Sequence, residues 1–378
     1  MHRTWYGKQT GMANMNRPTV FPGVTPKPAG IHAIGRRFAF GGALCIALVA
    51  SAFTTSQAQS ANNAPVTVSL RTAFGFNGTT APFYYAEKLG YYKDAGLIVK
   101  IEAGTGSQTS IDAVAAGGDT FTFSNSASLM LSVGKGLGVI AAATTLGTGS
   151  YGIFVPKSSD ITSIGQLAGK TIISSPGTPQ AELLRPFLAK NGVDPNSVKV
   201  VNVAGSALLS TYASGVGDAL VQPIPYGRPI IDPKRPSRTF LFSDYGFPLP
   251  DYSILVSVRY LNEHPNVVRA FVEGTMKGFA AAAKQPGAAI DAMVAEQPSV
   301  DRATALAQLT GWIPLFCPPN FNGEPYGKQS AAQWEFSATL LKQYAGLSPE
   351  SKKPYYTNQF FDGPKGINVA SCPIASGG

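Results

Sequence analysis

The 378-residue chain is 44% apolar and 13% charged, a composition that fits a globular protein with room for two ordinary domains and excludes a disordered one. Its formal charge of +9 does not indicate a nucleic-acid partner, because residues 1–58 hold six Lys or Arg and no acidic residue. The other 24 of the 30 basic residues are nearly balanced by the 21 acidic ones. We therefore expect no nucleic acid to bind.

The first 58 residues have the features of an export signal. Arg36 and Arg37 precede an apolar run over residues 38–53, and small residues follow up to Ala58. The run is shorter than the roughly 20 residues that span a bilayer. We therefore predict a cleaved leader, residues 1–58, and a periplasmic protein secreted through this signal peptide. A retained anchor helix is the alternative, and the paired arginines leave the twin-arginine route open beside ordinary secretion.

A strand, a helix and a second strand are predicted within residues 66–101. The strands, residues 66–70 and 97–101, are apolar and partly β-branched. Between them, Pro82 suits the first turn of a helix, and Gly96 can end the short turn that follows it. This order implies that the two strands pair in parallel through a right-handed crossover.

The alternation of strands and helices continues along the chain, as an α/β fold requires. Further strands are predicted at residues 120–123, 139–143, 151–155, 171–173, 198–203 and 252–258. Helices are predicted at residues 107–116, from Ser126 onward and at 179–190, where Pro186 should cause a kink. A long helical region begins at Pro265 and reaches about residue 344, broken at Gly287, Pro298 and Pro314.

A weak internal echo predicts two halves built on one plan. A Gly-Asp or Gly-x-Gly-Asp turn follows a helix and leads into a strand at Asp119 and again at Asp218. We expect two lobes that face each other across a cleft, with chain crossings near Ser150 and Ser253. The predicted lobe 1 comprises residues 62–149 and 254–348, lobe 2 comprises residues 150–253, and residues 349–378 form an irregular tail.

Two stretches carry a family pattern. The first has a proline, an alanine, a glycine and an aromatic residue, then Gly-Leu and an apolar strand, at Pro82, Ala86, Gly90, Tyr91, Gly96 and Leu97. The second has Leu167, then Gly169-Lys170 and an apolar strand. They resemble solute-binding proteins of ABC importers of the nitrate, taurine and aliphatic-sulfonate type, and also thiamine-pyrimidine-precursor-binding proteins. The resemblance implies a two-lobed periplasmic-binding-protein fold (type II), each lobe a mostly parallel sheet flanked by helices.

The sequence contains few of the residues and motifs that catalysis or metal binding requires. His264 is the only histidine after the leader, and it stands at a predicted helix start. A Ser-His-Asp triad or a histidine metal site needs more than this. Neither a phosphate loop nor a Rossmann glycine pattern is present. We therefore predict no enzyme, no catalytic residue, no metal and no cofactor.

Polar and aromatic residues follow the strands where ligands bind in open α/β sheets, beyond the carboxyl ends. Ser126 and Thr178 also head helices whose backbone N–H groups suit an anion. The resemblance implies that these loops line the ligand cleft, although any one residue could instead be a plain helix cap or pack the hinge. The predicted ligand-binding residues are Phe76, Asn77, Asn125, Ser126, Ser175, Thr178, Gln222, Tyr226 and Tyr252.

The ligand is expected to be a small organic molecule held without a strong charged clamp, since only Arg71, Arg185 and Arg228 are near these loops. A sulfonate and a pyrimidine-like molecule both fit. The resemblance implies an ABC transporter permease as partner, and we expect a monomer. The alternatives are an enzyme of thiamine-pyrimidine synthesis on the same scaffold and a ligand-sensing subunit of a signalling system.

Two cysteines remain after the leader, Cys317 and Cys372. Paired thiols in an oxidising compartment usually form disulfides. We predict a bridge between them that ties the tail to the body of the protein, with two free buried thiols as the alternative.

Overall fold

The computed structural model describes residues 64–348 and 353–374, so the predicted leader lies outside the described residues. The strands fall into two separate five-stranded sheets. In chain order they are β1 (Val66–Thr72), β2 (Leu97–Glu102), β3 (Phe121–Asn125), β4 (Val139–Thr144), β5 (Tyr151–Pro156), β6 (Thr171–Ser174), β7 (Lys199–Asn202), β8 (Ala219–Pro223), β9 (Ser237–Leu241) and β10 (Tyr252–Ser257).

The first sheet has the order β2-β1-β3-β10-β4. Strand β1 pairs in parallel with β2, with Val66 opposite Leu97, and also with β3. This confirms the parallel pair predicted from the sequence. Strand β10 lies antiparallel between β3 and β4, so the sheet is mixed and only one of its strands runs against the others.

The second sheet, β7-β6-β8-β5-β9, repeats this plan. Strand β6 is parallel to β7 and β8, and β5 is antiparallel to β8 and β9. In each sheet the antiparallel strand is the one that the chain enters from the other sheet. The internal echo in the sequence therefore corresponds to a repeated topology.

Helices cover both sheets, and their bounds follow the apolar spacing and the prolines of the sequence. They are α1 (Ala81–Lys88), α2 (Tyr91–Asp94), α3 (Ser107–Ala116), α4 (Ser126–Gly134), α5 (Pro179–Lys190), α6 (Gly205–Ala213), α7 (Ile224–Ile231), α8 (Val258–Glu263), α9 (Pro265–Lys284), α10 (Pro286–Glu296), α11 (Arg302–Trp312) and α12 (Ala331–Tyr344). In the described part of the chain, no helix is both long and apolar enough to cross a membrane.

The predicted break at Gly287 is wrong. Gly287 lies inside α10, and the interruption falls two residues earlier, at Gln285. The physical reason is Pro286, whose fixed φ and missing N–H suit the first position of a new helix. By contrast, α5 continues through Pro186 without interruption.

Aromatic rings dominate the core beneath the first sheet. Phe83 of α1 makes edge contacts with Phe123 of β3 and Phe279 of α9, each with ring centroids 5.2 Å apart. Helices α1 and α9 approach closely because Gly278 has no side chain, and a Cβ there would stand 2.5 Å from the Cβ of Ala86. This packing fixes α1, and with it the loop after β1.

The C-terminal segment is joined to the body by the predicted disulfide between Cys317 and Cys372. Backbone hydrogen bonds reinforce it, since Gly323 N–H donates to the Cys372 carbonyl and Cys372 N–H donates to that of Glu324. Residues 353–374 otherwise contain no helix and no strand longer than an isolated bridge. The disulfide prediction is confirmed.

Candidate functional site

The residues predicted to bind a ligand lie at the carboxyl ends of four strands, two from each sheet. Phe76 and Asn77 follow β1, and Asn125 and Ser126 follow or end β3. In the second sheet, Ser175 and Thr178 follow β6, while Gln222 and Tyr226 lie at the end of β8 and in α7. Tyr252 begins β10, the strand that returns to the first sheet.

Asn125 is the N-cap of α4, and its side chain is fully used inside the protein. Its Oδ1 accepts hydrogen bonds from the N–H groups of Ala127 and Ser128, at 2.9 and 3.1 Å. Its Nδ2 donates to the Tyr151 hydroxyl and to Asp251. The Ser126 N–H donates to the Asp251 carbonyl, so these three N–H groups at the start of α4 are not free for an anion.

Asp251 joins the two chain segments that connect the sheets. Its Oδ2 accepts from the Ser150 N–H at 3.0 Å and from the Ser150 hydroxyl, and its Oδ1 accepts from Asn125. Burial raises the pKa of Asp251 to about 6 despite these bonds. Burial likewise raises the pKa of the Tyr151 hydroxyl well above its ordinary value. This cluster holds the crossings together and is not arranged as a ligand clamp.

Asn77 and Phe76 shape the loop after β1. The Asn77 Oδ1 accepts from the N–H and the hydroxyl of Thr79, at 2.9 and 2.8 Å, which closes a tight turn before α1. The Phe76 ring packs edge-on against Tyr84, with centroids 5.8 Å apart. Both residues are half-buried, so each keeps part of its surface open.

The loop after β6 is held in shape by the hydroxyl group of one of its own residues, Thr178. Thr178 is the N-cap of α5, but its Oγ1 donates to the Ser175 carbonyl at 2.7 Å instead of capping the helix. In the next turn, the Gln180 side chain donates to Gln222 at 2.6 Å and so ties this loop to the end of β8. The structure therefore brings Ser175, Thr178 and Gln222 together.

Two further predicted residues, Tyr252 and Tyr226, pack in the core of the first sheet. Tyr252 packs against Phe123 with ring centroids 4.8 Å apart, and burial raises its pKa. The Tyr226 hydroxyl is one of the groups that raise the pKa of Tyr252, and its own pKa is raised by burial. Tyr226 belongs to the second sheet's layer and also packs against the core of the first sheet, so this side chain links the two layers.

A contact between α7 and α11, made by Pro225, Tyr226, Gln308, Gly311 and Trp312, joins the layers of the two sheets; we refer to it as the α7–α11 seam. Gln308 connects the two sides of this seam. The Gln308 Nε2 donates to the Tyr226 carbonyl at 3.3 Å, and the Gln308 Oε1 accepts from the Gly78 N–H at 3.1 Å. Gly78 lies in the loop after β1. One buried amide thus connects the ends of β1 and β8.

Trp312 is a residue of this seam that sequence reasoning missed. Its ring centroid lies 6.4 Å from that of Tyr226. Its indole N–H is buried and has no hydrogen-bond partner in the part of the chain that the structure describes. The sequence held no signal for this position, because α11 is distant in sequence from all the strand ends and reads as an ordinary amphipathic helix.

The three candidate cations are engaged elsewhere. Arg71 pairs with Asp119 and with Glu102, the latter at 2.8 Å. Arg185 donates to Asn196, and Arg228 donates to Thr239 of β9. Within residues 64–348 and 353–374, no three His, Cys, Asp or Glu side chains come together in a way that could hold a metal ion. His264 is exposed and lies against the Tyr260 ring.

A cavity of about 330 Å³ lies away from the strand ends, among α3, α4, α5 and the segment after α12. Gln108, Lys135 and Glu182 line it, and none of the residues predicted to bind the ligand does. The predicted residues are instead packed together, with Ser175, Thr178, Gln222 and Tyr252 all less than 9% exposed. A solute could reach them only if the layers separated.

Comparison with known proteins decides the family. A family model described as "NMT1/THI5 like" matches residues 77–289. The chain belongs to this family. The matched range begins at Asn77 in the loop after β1, includes the ends of β3, β6 and β8, and stops before α11.

A curated relative is the formylaminopyrimidine-binding protein of Halalkalibacterium halodurans, 27% identical over 258 residues, which cover 67% of this chain and 77% of the relative. The periplasmic aliphatic sulphonate binding protein of Escherichia coli is a solved structure of similar fold, with a TM-score of 0.61 at 11% identity over 78% of this chain and 94% of that one. The alkanesulfonate-binding protein of Xanthomonas axonopodis pv. citri, bound to MOPS, gives 0.58 at 15% identity over 76% and 96%.

These similarities confirm the fold and the family predicted from the sequence. The chain has the fold of periplasmic solute-binding proteins, and its relatives are named as binding proteins.

Proposed function

We propose that this protein is the extracytoplasmic solute-binding component of an ABC importer, and that it captures a small organic molecule between two lobes. The observation that carries this proposal is the α7–α11 seam. There Gln308 joins the loop after β1 to the start of α7, and aromatic residues of both layers meet beside it. Family membership supports the same reading.

The lobes of this proposal follow the two sheets. Lobe 1 is residues 62–149 with 254–348, and lobe 2 is residues 150–253. Two chain segments connect them, between β4 and β5 and between β9 and β10. Rotation about these segments would open the seam, admit a solute and close over it, and the solute favours closure by the amount that it prefers the closed state.

A pyrimidine-like ligand is proposed ahead of a sulfonate. The relative from Halalkalibacterium halodurans is a formylaminopyrimidine-binding protein. A sulfonate favours charged or strongly donating partners, whereas Arg71, Arg185 and Arg228 are bonded to other residues. Aromatic rings and amides suit a flat molecule with few charges.

The proposal includes export through the signal peptide of residues 1–58, a periplasmic location, an ABC permease as partner and a monomeric state. It also holds that the protein is not an enzyme. The alternative enzyme of thiamine-pyrimidine synthesis needs a reactive histidine, and His264 is exposed and packed against Tyr260.

A thermal-shift screen of the full chain, purified from the periplasmic fraction after expression with its own leader, tests this function. The probes are formylaminopyrimidine, uracil, taurine, MOPS and nitrate. A ligand at about a hundred times its Kd adds about 2.7 kcal/mol, so a true ligand should raise Tm by about 4 °C. Binding of none of these probes would contradict the proposal.

Mass spectrometry of the same samples separates a binding protein from an enzyme. A binding protein should return the probe unchanged after prolonged incubation, whereas conversion of the probe would support the enzyme. Heat-denatured protein is the control for spontaneous breakdown.

A further inference from the structure

The indole N–H of Trp312 is a donor without an acceptor. The side chain is 3% exposed, and no partner for Nε1 exists among residues 64–348 and 353–374. Leaving a buried donor unpaired costs about 1–3 kcal/mol. Buried polar atoms in native proteins are nearly all paired, and an acceptor atom of a ligand bound at the seam would complete the pairing of this donor.

The position of Trp312 shows where that partner would lie. Gln308, one turn earlier on α11, already uses both ends of its amide, on Tyr226 and on Gly78. Gly311 lies against Pro225 at the start of α7. Trp312 therefore stands at the α7–α11 seam, beside the Tyr226 ring, and contributes the donor that this seam leaves unused.

We propose that Trp312 determines ligand specificity by donating its indole N–H to an acceptor atom of a flat, uncharged ligand. The acceptor is a carbonyl oxygen or a ring nitrogen, and the Trp312 and Tyr226 rings supply apolar walls. This assignment rests on the proposed function. It concerns a residue outside the family match at residues 77–289.

The chemistry of the site sets the expected selectivity. A buried donor that gains a partner only when the ligand binds discriminates against analogues that lack the acceptor, because those leave the donor unpaired. The proposed ligand class is therefore narrower than small organic molecules in general. Aliphatic sulfonates lack the flat ring that the two aromatic walls would contact.

The tryptophan content of the chain makes a direct test possible. Of the three tryptophans, Trp5 falls in the predicted leader, and only Trp312 and Trp334 follow it. Trp334 is also buried, but it stacks on Tyr356 of the C-terminal segment, 5.4 Å between ring centroids. Trp334→Phe is thus a matched control for Trp312→Phe.

The experiment uses the full chain exported with its own leader, labelled with ¹⁵N at the indole nitrogens, and formylaminopyrimidine and MOPS as probes. Addition of formylaminopyrimidine should move the Trp312 indole N–H signal downfield and leave that of Trp334 in place. Calorimetry should show affinity at least ten-fold weaker in Trp312→Phe and within two-fold of wild type in Trp334→Phe.

Each outcome decides the assignment. If formylaminopyrimidine binds but the Trp312 signal does not move, or Trp312→Phe binds as tightly as wild type, the role of Trp312 is wrong while the solute-binding function stands. Binding of MOPS alone overturns the flat-ligand class in the same way. Binding of neither probe overturns both the assignment and the proposed ligand class. The wild-type spectrum gives a result even if Trp312→Phe fails to fold.

Discussion

Two buried serine hydroxyls near the strand ends differ in their bonding. The Ser126 hydroxyl shares a hydrogen bond of 2.8 Å with that of Ser253. The Ser174 hydroxyl, at the end of β6, is equally buried and has no partner in the described part of the chain. A bonded hydroxyl stabilises the fold, whereas an unpaired one opposes it.

Ser174→Ala should therefore raise the free energy of unfolding of the ligand-free protein by about 1 kcal/mol, because it removes an unpaired polar atom. Ser126→Ala should lower it by about 1 kcal/mol, since it breaks a buried hydrogen bond. Denaturant unfolding of both variants measures the difference. Equal destabilisation by the two substitutions would contradict the assignment of Ser174.

For single residues, the sequence indicated which residue types lie at the strand ends better than it indicated the role of each side chain. Asn125 was correctly placed at the end of β3, but its amide is committed to α4, Tyr151 and Asp251. Which atoms remain free depends on contacts with residues that are distant in the sequence, such as the one between Asn125 and Asp251, and no local pattern encodes them. Trp312 was missed for the same reason.

Among elements, the C-terminal segment depends on its disulfide. It contains few regular hydrogen bonds, and the bridge between Cys317 and Cys372 closes a loop with a sequence separation of 55. Replacing both cysteines by alanine should lower the free energy of unfolding by about 4 kcal/mol on the loop-entropy model. Unfolding with and without reductant measures this. If reductant leaves the free energy of unfolding of the wild-type protein unchanged, the predicted contribution of the disulfide is wrong.

The connections between the sheets carry a pH dependence through Asp251. Its pKa is raised by burial from 3.8 to about 6, so the folded protein holds this proton more tightly than the unfolded chain does. The resulting stabilisation is complete below pH 4 and is lost as the pH rises through 6. The loss amounts to about 3 kcal/mol. The hydroxyls of Tyr151 and Tyr252 face Asp251, and burial keeps both neutral in this range.

Asp251→Asn isolates this contribution from those of the other carboxyl groups. Asparagine should destabilise the protein at every pH, because its amide turns a donor toward Ser150 or Asn125. The difference in unfolding free energy between wild type and variant should nevertheless shrink by about 3 kcal/mol from pH 3 to pH 7. Denaturant unfolding across this range measures it. A constant difference would show that the folded-state pKa is not raised.

Elements were predicted well wherever one local rule governed them. The helix Ser107–Ala116 and the parallel pairing of β1 with β2 follow from apolar spacing and from the strand-helix-strand order. The misplaced break at Gly287 arose where two helix breakers stand side by side. Pro286 decided the outcome because a proline both ends one helix and starts the next.

For the whole molecule, the echo at Asp119 and Asp218 was enough to predict that one plan is used twice, and the two sheets have the same strand order. The way in which the layers meet could not be predicted. It depends on shape at the α7–α11 seam, where a glycine allows two helices to touch. A Cβ on Gly311 would stand 3.0 Å from the Cβ of Pro225.

Gly311→Ala therefore tests hinge closure. Alanine favours a helix over glycine by up to about 1 kcal/mol, so α11 itself should gain stability. The added methyl group pushes α7 away, which disfavours the closed arrangement and so weakens ligand binding by the cost of that displacement. We expect affinity for the strongest ligand to fall about 3- to 10-fold, a loss of about 0.7–1.4 kcal/mol, while Tm without ligand stays level or rises.

The matched control is Gly287→Ala in α10, where the nearest atom to the new Cβ is the end of the Arg302 side chain, at 3.9 Å. It makes the same change in a neighbouring helix with room for the methyl group, so affinity should equal that of wild type. Small-angle scattering should show a smaller ligand-induced compaction for Gly311→Ala than for the control. If both variants bind the ligand equally well and compact equally, the α7–α11 contact is not part of closure. A methyl group added to a close helix contact that forms on closure would have to weaken it.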